Sequence, residues 1–250
     1  MSVLIYPQGR TLSFVYGDER IQVCRQDRAK VTDRVQIRVH PDCRVVVAAP
    51  AESDDQSVLQ AVKQRARWIY QQLRDFRKQN EHLTPRKYVS GESHLYLGKQ
   101  HMLKVIEASD QKQEVKLLRG KLEVSVRHRQ SGKVKALLDD WYKQKAREVF
   151  ARRLDTMLEH TLWVSERPQF RTRVMQTRWG SCSPKGCLTL NPYLVKAPRE
   201  CIDYVLLHEL CHLAEHNHSE RFYRLMNKVM PHWELVKEKL DGMAHRLLLD

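Results

Sequence analysis

Residues Ile202 to Ser219 read IDYVLLHELCHLAEHNHS. Ile202, Val205, Leu206, Leu210 and Leu213 recur at intervals of three and four, which predicts a helix with one buried face. His208 and His212 are four apart. On that helix the two imidazoles share a face, one turn apart, placed for two nitrogens to bond one zinc ion at about 2.0 to 2.1 Å. Glu209 adjoins the first histidine. It lies too near along the helix to make a comfortable third ligand, but it can reach a water on the metal, the place of the general base in an H-E-x-x-H hydrolase. Zinc lowers the pKa of such a water to about 7, so a carboxylate can take its proton near neutrality.

A catalytic zinc site needs a third protein ligand and an open fourth position. Asn217 tolerates the left-handed conformation that closes helices, and a chain turning there brings His218 back toward the metal. Glu215, His216 and the later carboxylates Glu234 and Glu238 are the other candidates. His218 is favoured because a residue just beyond a helix end can curl over its face. The competing reading takes the histidines as solvated or core residues of an ordinary helix, with no metal.

Upstream stands Arg178-Trp179-Gly180-Ser181-Cys182-Ser183 and downstream Asn217-His218-Ser219. Together with the histidine helix, these residues resemble the YgjP-like metallopeptidase family, zincins similar to the SprT-like and WLM peptidases. The resemblance is densest from Arg178 to Trp233 and extends more thinly to Arg38–Pro50 and Gly91–Gly98. It implies a zinc peptidase-like fold with His208, His212 and His218 as ligands and Glu209 as catalytic glutamate. It supplies no substrate.

The 250 residues are enough for a sizeable core, as one large domain or two small ones. A formal charge of +14 favours polyanions, nucleic acid above all, or acidic peptides, unless the basic residues only keep helix faces solvated. No apolar leader and no run of 18 or more apolar residues occurs, so a cytoplasmic protein without membrane contact is expected. The six cysteines show no tight paired spacing and are expected as reduced thiols. Cys182, Cys187, Cys201 and Cys211 fit no familiar second zinc motif.

Alternation and turn signals predict strands over Thr11–Tyr16, Arg20–Arg25, Arg34–His40 and Arg44–Ala49, with Gly17-Asp18 as a turn. One helix from Ser53 to about Gln79 follows, with Val58, Ala61, Val62, Ile69 and Leu73 inward. Its other face carries Lys63, Arg65, Arg67, Arg74, Arg77 and Lys78. After Thr84-Pro85 come strands His94–Leu97, His101–Ile106, Glu114–Leu118 and Leu122–Val126, turning at Gly98 and Arg119-Gly120. A long helix is expected over Lys133–His160, then short strands Arg171–Met175, Thr177–Ser181 and Cys187–Asn191. The metal helix starts near Pro198, Ser219 caps a helix over Glu220–Met230, and Trp233–Leu248 closes the chain. The expected class is α+β: a β-rich domain with a long helix over residues 1–131, then a small zincin-like domain over 132–250. No internal repeat is visible.

Arg178 and Asn191 are candidates to bind substrate. Arg178 is equally suited to pair with Asp203 or Glu209, and Trp179 to the core. Tyr193, Tyr204 and Tyr223 are candidate donors to a transition-state oxyanion. The function expected is zinc-dependent hydrolysis of peptide bonds in a peptide or protein substrate. The rivals are a metal-dependent nucleotide or phosphate hydrolase, for which no phosphate-cradling glycine motif speaks, and a nucleic-acid-associated zincin acting on DNA-bound proteins.

Overall fold

The structure is a computed structural model that describes residues 10–28, 35–40, 42–80, 86–108, 112–175 and 178–248. The expectations for Arg34, Thr84-Pro85 and Thr177 fall outside these residues. The chain divides into two compact units, residues 1–84 and 85–248. The boundary expected between residues 131 and 132 falls inside the second unit.

In the first unit, strands β1 (Arg10–Tyr16), β2 (Glu19–Arg28), β3 (Gln36–Val39) and β4 (Val45–Pro50) form a sheet of order β1-β2-β4-β3. β1 and β2 make the expected hairpin, and its turn needs a positive φ at Gly17. β2 and β4 run parallel, while β3 and β4 are antiparallel. The single helix expected after β4 is two helices, α1 (Asp55–Lys63) and α2 (Ala66–Asn80). Asp54 caps α1 by accepting the Ser57 N–H at 2.8 Å. Val58, Val62, Ile69 and Leu73 face the sheet and pack with Phe14, Ile21, Val23, Val45 and Val47.

The second unit opens with β5 (Ser93–Tyr96), β6 (Lys99–Glu107), β7 (Glu114–Leu118) and β8 (Lys121–Val126), in the order β5-β6-β8-β7. Its pairing senses repeat those of the first sheet: antiparallel, parallel, antiparallel. A repeat of topology is therefore present where none was read from the sequence. Alternation constrains only which residues face inward, so the two sheets share a connection pattern without sharing residues.

The long helix α3 (Ser131–Leu158) joins this sheet to the remainder of the unit through one core, which includes Leu103, Val124, Leu138, Phe150 and Leu154. Strands β9 (Phe170–Thr172), β10 (Gly180–Cys182) and β11 (Leu188–Leu190) form a small sheet of order β10-β11-β9, with β10 at its edge. A 3₁₀ turn over Pro192–Lys196, capped by Asn191, leads into α4 (Arg199–Ala214), followed by α5 (Glu220–Val229) and α6 (Trp233–Leu248).

The β5–β6 hairpin fixes the start of α4. Leu97 and Gly98 both take positive φ, as a two-residue hairpin turn requires. Their N–H groups donate to the carbonyls of Val195 and Lys196 at 2.9 and 3.0 Å. Gly98 lies so close to Pro198 that a Cβ would stand 2.9 Å from its Cγ, so glycine is required twice over.

α4 was expected to bury one face. Instead Cys201, Ile202, Tyr204, Val205, Leu206, Leu207, Glu209, Leu210 and Cys211 are all buried, which makes it the central helix of its unit. All six cysteines are free thiols. No helix among the described residues is long and apolar enough to cross a membrane.

Candidate metal centre

His208 and His212 project from the last turns of α4 and meet His218 from the segment before α5. The three offer ring nitrogens that all lie within 4.8 Å of one another, and they are the only such cluster among the described residues. The Nε2 atoms of His208 and His218 are 3.1 Å apart. Two nitrogens each about 2.0–2.1 Å from a tetrahedral zinc stand roughly 3.3 Å apart, so the spacing fits a shared ion.

The electrostatics agree with that use. Burial pushes the His208 pKa down to about 3, and the neighbouring His212 and His218 add to the shift. Burial also lowers His212. Both are therefore held neutral, the form that ligates a metal. His212 sets its Nδ1 3.0 Å from the Glu215 carbonyl oxygen, and an Nδ1–H donated there leaves Nε2 with its lone pair toward the cluster.

Helix α4 ends at Ala214, and Glu215 leaves it in extended backbone. Asn217 does not supply a left-handed turn: the described non-glycine residues with positive φ are Cys43, Tyr88, Leu97 and Arg119. The Ser219 N–H bonds the Asn217 carbonyl at 2.8 Å, and the Ser219 hydroxyl caps α5 at the Phe222 N–H. The carboxylate of Glu215 faces Arg221 at 3.0 Å. Neither Glu215, His216, Glu234 nor Glu238 joins the cluster, although His216 lines the cleft beside it.

Phe222 is a residue that sequence reasoning passed over. Its ring centroid lies 4.9, 4.7 and 4.8 Å from those of His208, His212 and His218. It is fully buried, a contribution of roughly 1.5–3 kcal/mol that also holds the three imidazoles against one apolar floor. Its position three residues after a capping serine was the available signal.

Glu209 is 5 % exposed, and burial pushes its pKa up to about 7, against the opposing charge of Arg178 and a hydrogen bond from the Cys182 N–H. It occupies the space that a side chain at residue 180 would need: a Cβ on Gly180 would lie 2.5 Å from Glu209 Oε1 and 2.8 Å from its Cγ. The Gly-Ser-Cys of β10 is therefore a wall for the carboxylate.

The cleft in front of these groups has a volume of about 540 Å³. β10 and the residues before it form one side, with Arg178 and Trp179, and α6 contributes Lys237, Leu240 and Asp241. Asp203 is taken by Arg153, bidentate at 2.7 and 2.7 Å, so Arg178 has no role there. Trp179 both lines the cleft and packs on the core.

The structure does not bring Asn191 to the cleft. It is fully buried, donates from Nδ2 to the carbonyls of Met175 and Arg178 at 2.7 and 3.2 Å, and accepts the Tyr193 N–H. Of the three tyrosines, Tyr193 turns to Asp139 at 3.3 Å, Tyr204 lines the cleft, and Tyr223 stacks on Trp233 and His218.

The sequence matches the family model described as YgjP-like, metallopeptidase domain, over residues 33–243. The chain belongs to the YgjP-like family. It therefore carries a metal-dependent peptidase domain of that family, and the histidine cluster lies within the matched span. Comparison with curated proteins gives no match. Two solved structures are similar over part of this YgjP-like chain. One is the metallopeptidase zymogen of Pyrococcus abyssi abylysin, 24% identical with a TM-score of 0.33, covering 39% of this chain and 92% of that one. The other is the metallopeptidase zymogen of Methanocaldococcus jannaschii jannalysin, 21% identical with a TM-score of 0.32, covering 39% and 94%.

Proposed function

We propose that this chain is a zinc-dependent peptidase in which His208, His212 and His218 hold the metal and Glu209 is the general base. The observation that carries the reading is the convergence of three ring nitrogens within 4.8 Å beside a buried carboxylate. Zinc suits three neutral imidazoles, and when bound it supplies a Lewis acid and a water acidic enough to react near neutrality.

Glu209 accepts the proton of the attacking water and returns it to the nitrogen of the departing amine. The Cys182 N–H keeps its carboxylate oriented while Gly180 leaves room for it. His212 is held in the ligating tautomer by the Glu215 carbonyl. Phe222 closes the apolar side of the cluster. β10 is an edge strand that lines the cleft, which supports binding of an extended peptide by strand addition, a mode indifferent to side chains.

Glu209→Gln separates base from ligand. The side chain keeps its size and loses its capacity to take a proton, so bound zinc should stay at the wild-type level while peptide hydrolysis falls roughly 10² to 10⁴-fold. Loss of zinc together with activity would make Glu209 part of the metal-holding framework and overturn the assignment.

A further inference from the structure

Several arginines of the second unit have partners. Arg153 pairs with Asp203, Arg167 with Asp155 and Arg221 with Glu215, while Arg171 donates to the Thr189 hydroxyl. Arg178 differs. Its guanidinium has no hydrogen-bond or ion-pair partner among the described residues, yet it lines the cleft, and its charge is felt by Glu209.

Its backbone, by contrast, is fixed. The buried Asn191 amide grips the Arg178 carbonyl at 3.2 Å and that of Met175 at 2.7 Å, and the next residue, Trp179, accepts the Asn191 N–H at 2.8 Å. An exposed arginine is thus carried on an anchored main chain at the lip of the site, the arrangement that preorganises a binding group. The other cation on the cleft wall, Lys237, is already bonded to Asp241 at 2.6 Å. Arg178 is the charge left for an incoming anion.

We propose that Arg178 forms an anion-recognising subsite of this cleft, taking a substrate carboxylate close to the bond on which Glu209 acts. The inference rests on the peptidase reading above and narrows it to substrates bearing an acidic group there. The carboxylate has two sources, an Asp or Glu side chain or the C-terminus of a short peptide. A guanidinium fork meets either one bidentately, with two parallel N–H···O bonds. One residue advances an extended peptide by about 3.3 Å, so the acidic residue falls within a residue or two of the scissile bond.

The test uses the full chain loaded with zinc and carrying Glu209→Gln, so that binding is read without turnover. Fluorescent peptides in matched pairs carry Glu or Gln at successive positions, and a second set carries a free or an amidated C-terminus. At one position, or at the C-terminus, the acid should bind roughly tenfold or more tightly than its neutral partner. Adding Arg178→Ala should abolish that preference with zinc content unchanged, Arg178→Lys should keep part of it, and Arg178→Glu should turn it toward Lys. An acid preference that survives Arg178→Ala overturns the subsite, as does equal binding of acid and neutral peptides. The peptidase reading fails separately: Arg178-dependent binding of acidic peptides that the wild-type enzyme never cleaves would refute hydrolysis and leave the subsite standing.

Discussion

Replacing Gly180 by alanine should disable the site without unfolding it. The added Cβ would stand 2.5 Å from Glu209 Oε1, 2.8 Å from Cγ and 3.0 Å from Cδ. Carbon atoms reach their contact minimum only near 3.5 Å, so the carboxylate must withdraw by about 1 Å. All three contacted atoms belong to the side chain of Glu209, so the carboxylate yields before the backbone of β10. At 5 % exposure it also has little free space to enter. A misplacement of about 1 Å in a reacting group costs on the order of 10²-fold in rate, or about 2.7 kcal/mol. The assay is kcat/KM on a peptide substrate beside zinc content by elemental analysis, in wild type, Gly180→Ala, Glu209→Gln and the double variant. The rate should drop about a hundredfold with zinc retained, and alanine at 180 should slow the Glu209→Gln protein no further, because both changes act through one carboxylate. A wild-type rate in Gly180→Ala, or a full further loss in the double variant, would refute the reasoning.

His218→Ala should release zinc markedly more readily than wild type on dialysis against a chelator, with a lower melting temperature in zinc; full occupancy would hand the third position to another group. Asn191→Ala leaves two carbonyls and the Tyr193 N–H without their partner and should cost about 1–3 kcal/mol in denaturant unfolding. From the end of α1 through α2, Lys63, Arg65, Arg67, Arg74, Arg77 and Lys78 are all exposed, and Arg77 is paired with Glu19. If the five other than Arg77 follow a phosphate backbone, nucleic acid should bind with little sequence preference, weaken steeply between low and physiological salt, and weaken again on Arg74→Glu with Lys78→Glu; no binding at low salt would leave the charge a solvated surface.

The elements were legible where periodicity and punctuation coincide. Strand β7 stands where alternation put it, Glu114–Leu118, and α3 runs over Ser131–Leu158 against an expected Lys133–His160. The break between α1 and α2 was not legible. It falls at Gln64 and Arg65, both good helix formers, where the Arg65 N–H turns to the Val62 carbonyl at 3.0 Å. The 3₁₀ turn over Pro192–Lys196 had a signal, Asn191 followed by Pro192, that a strand ending at Asn191 absorbed. Parallel pairing of β9 with β11 had none, since a strand's own residues say which face is buried but not which neighbour it meets. The burial of α4 on nearly every side was hidden for a related reason. Its off-face positions are held by Cys201, Tyr204 and Cys211, small or amphipathic groups that leave the Leu-rich face to dominate the pattern, and Leu207 alone marks the other side as apolar.

The position of His218 beside the other two imidazoles has a cause that the sequence only half showed. His218 is favoured in the sequence because a residue just beyond a helix end can curl over its face, with Asn217 as the expected left-handed turn, yet Asn217 takes no such conformation. What places His218 is the helix that follows it. The Ser219 hydroxyl accepts the Phe222 N–H and faces Glu215 at 3.5 Å, and Glu215 in turn meets Arg221. These contacts tie the last residues of α4 to the first turn of α5 with His218 between them. Phe222, fixed by the same cap, then sets its ring within 4.9 Å of all three imidazoles. The geometry of the histidine cluster therefore depends on how α5 docks as much as on the four-residue spacing within α4. The spacing alone brings two imidazoles together, and the capped start of α5 brings the third.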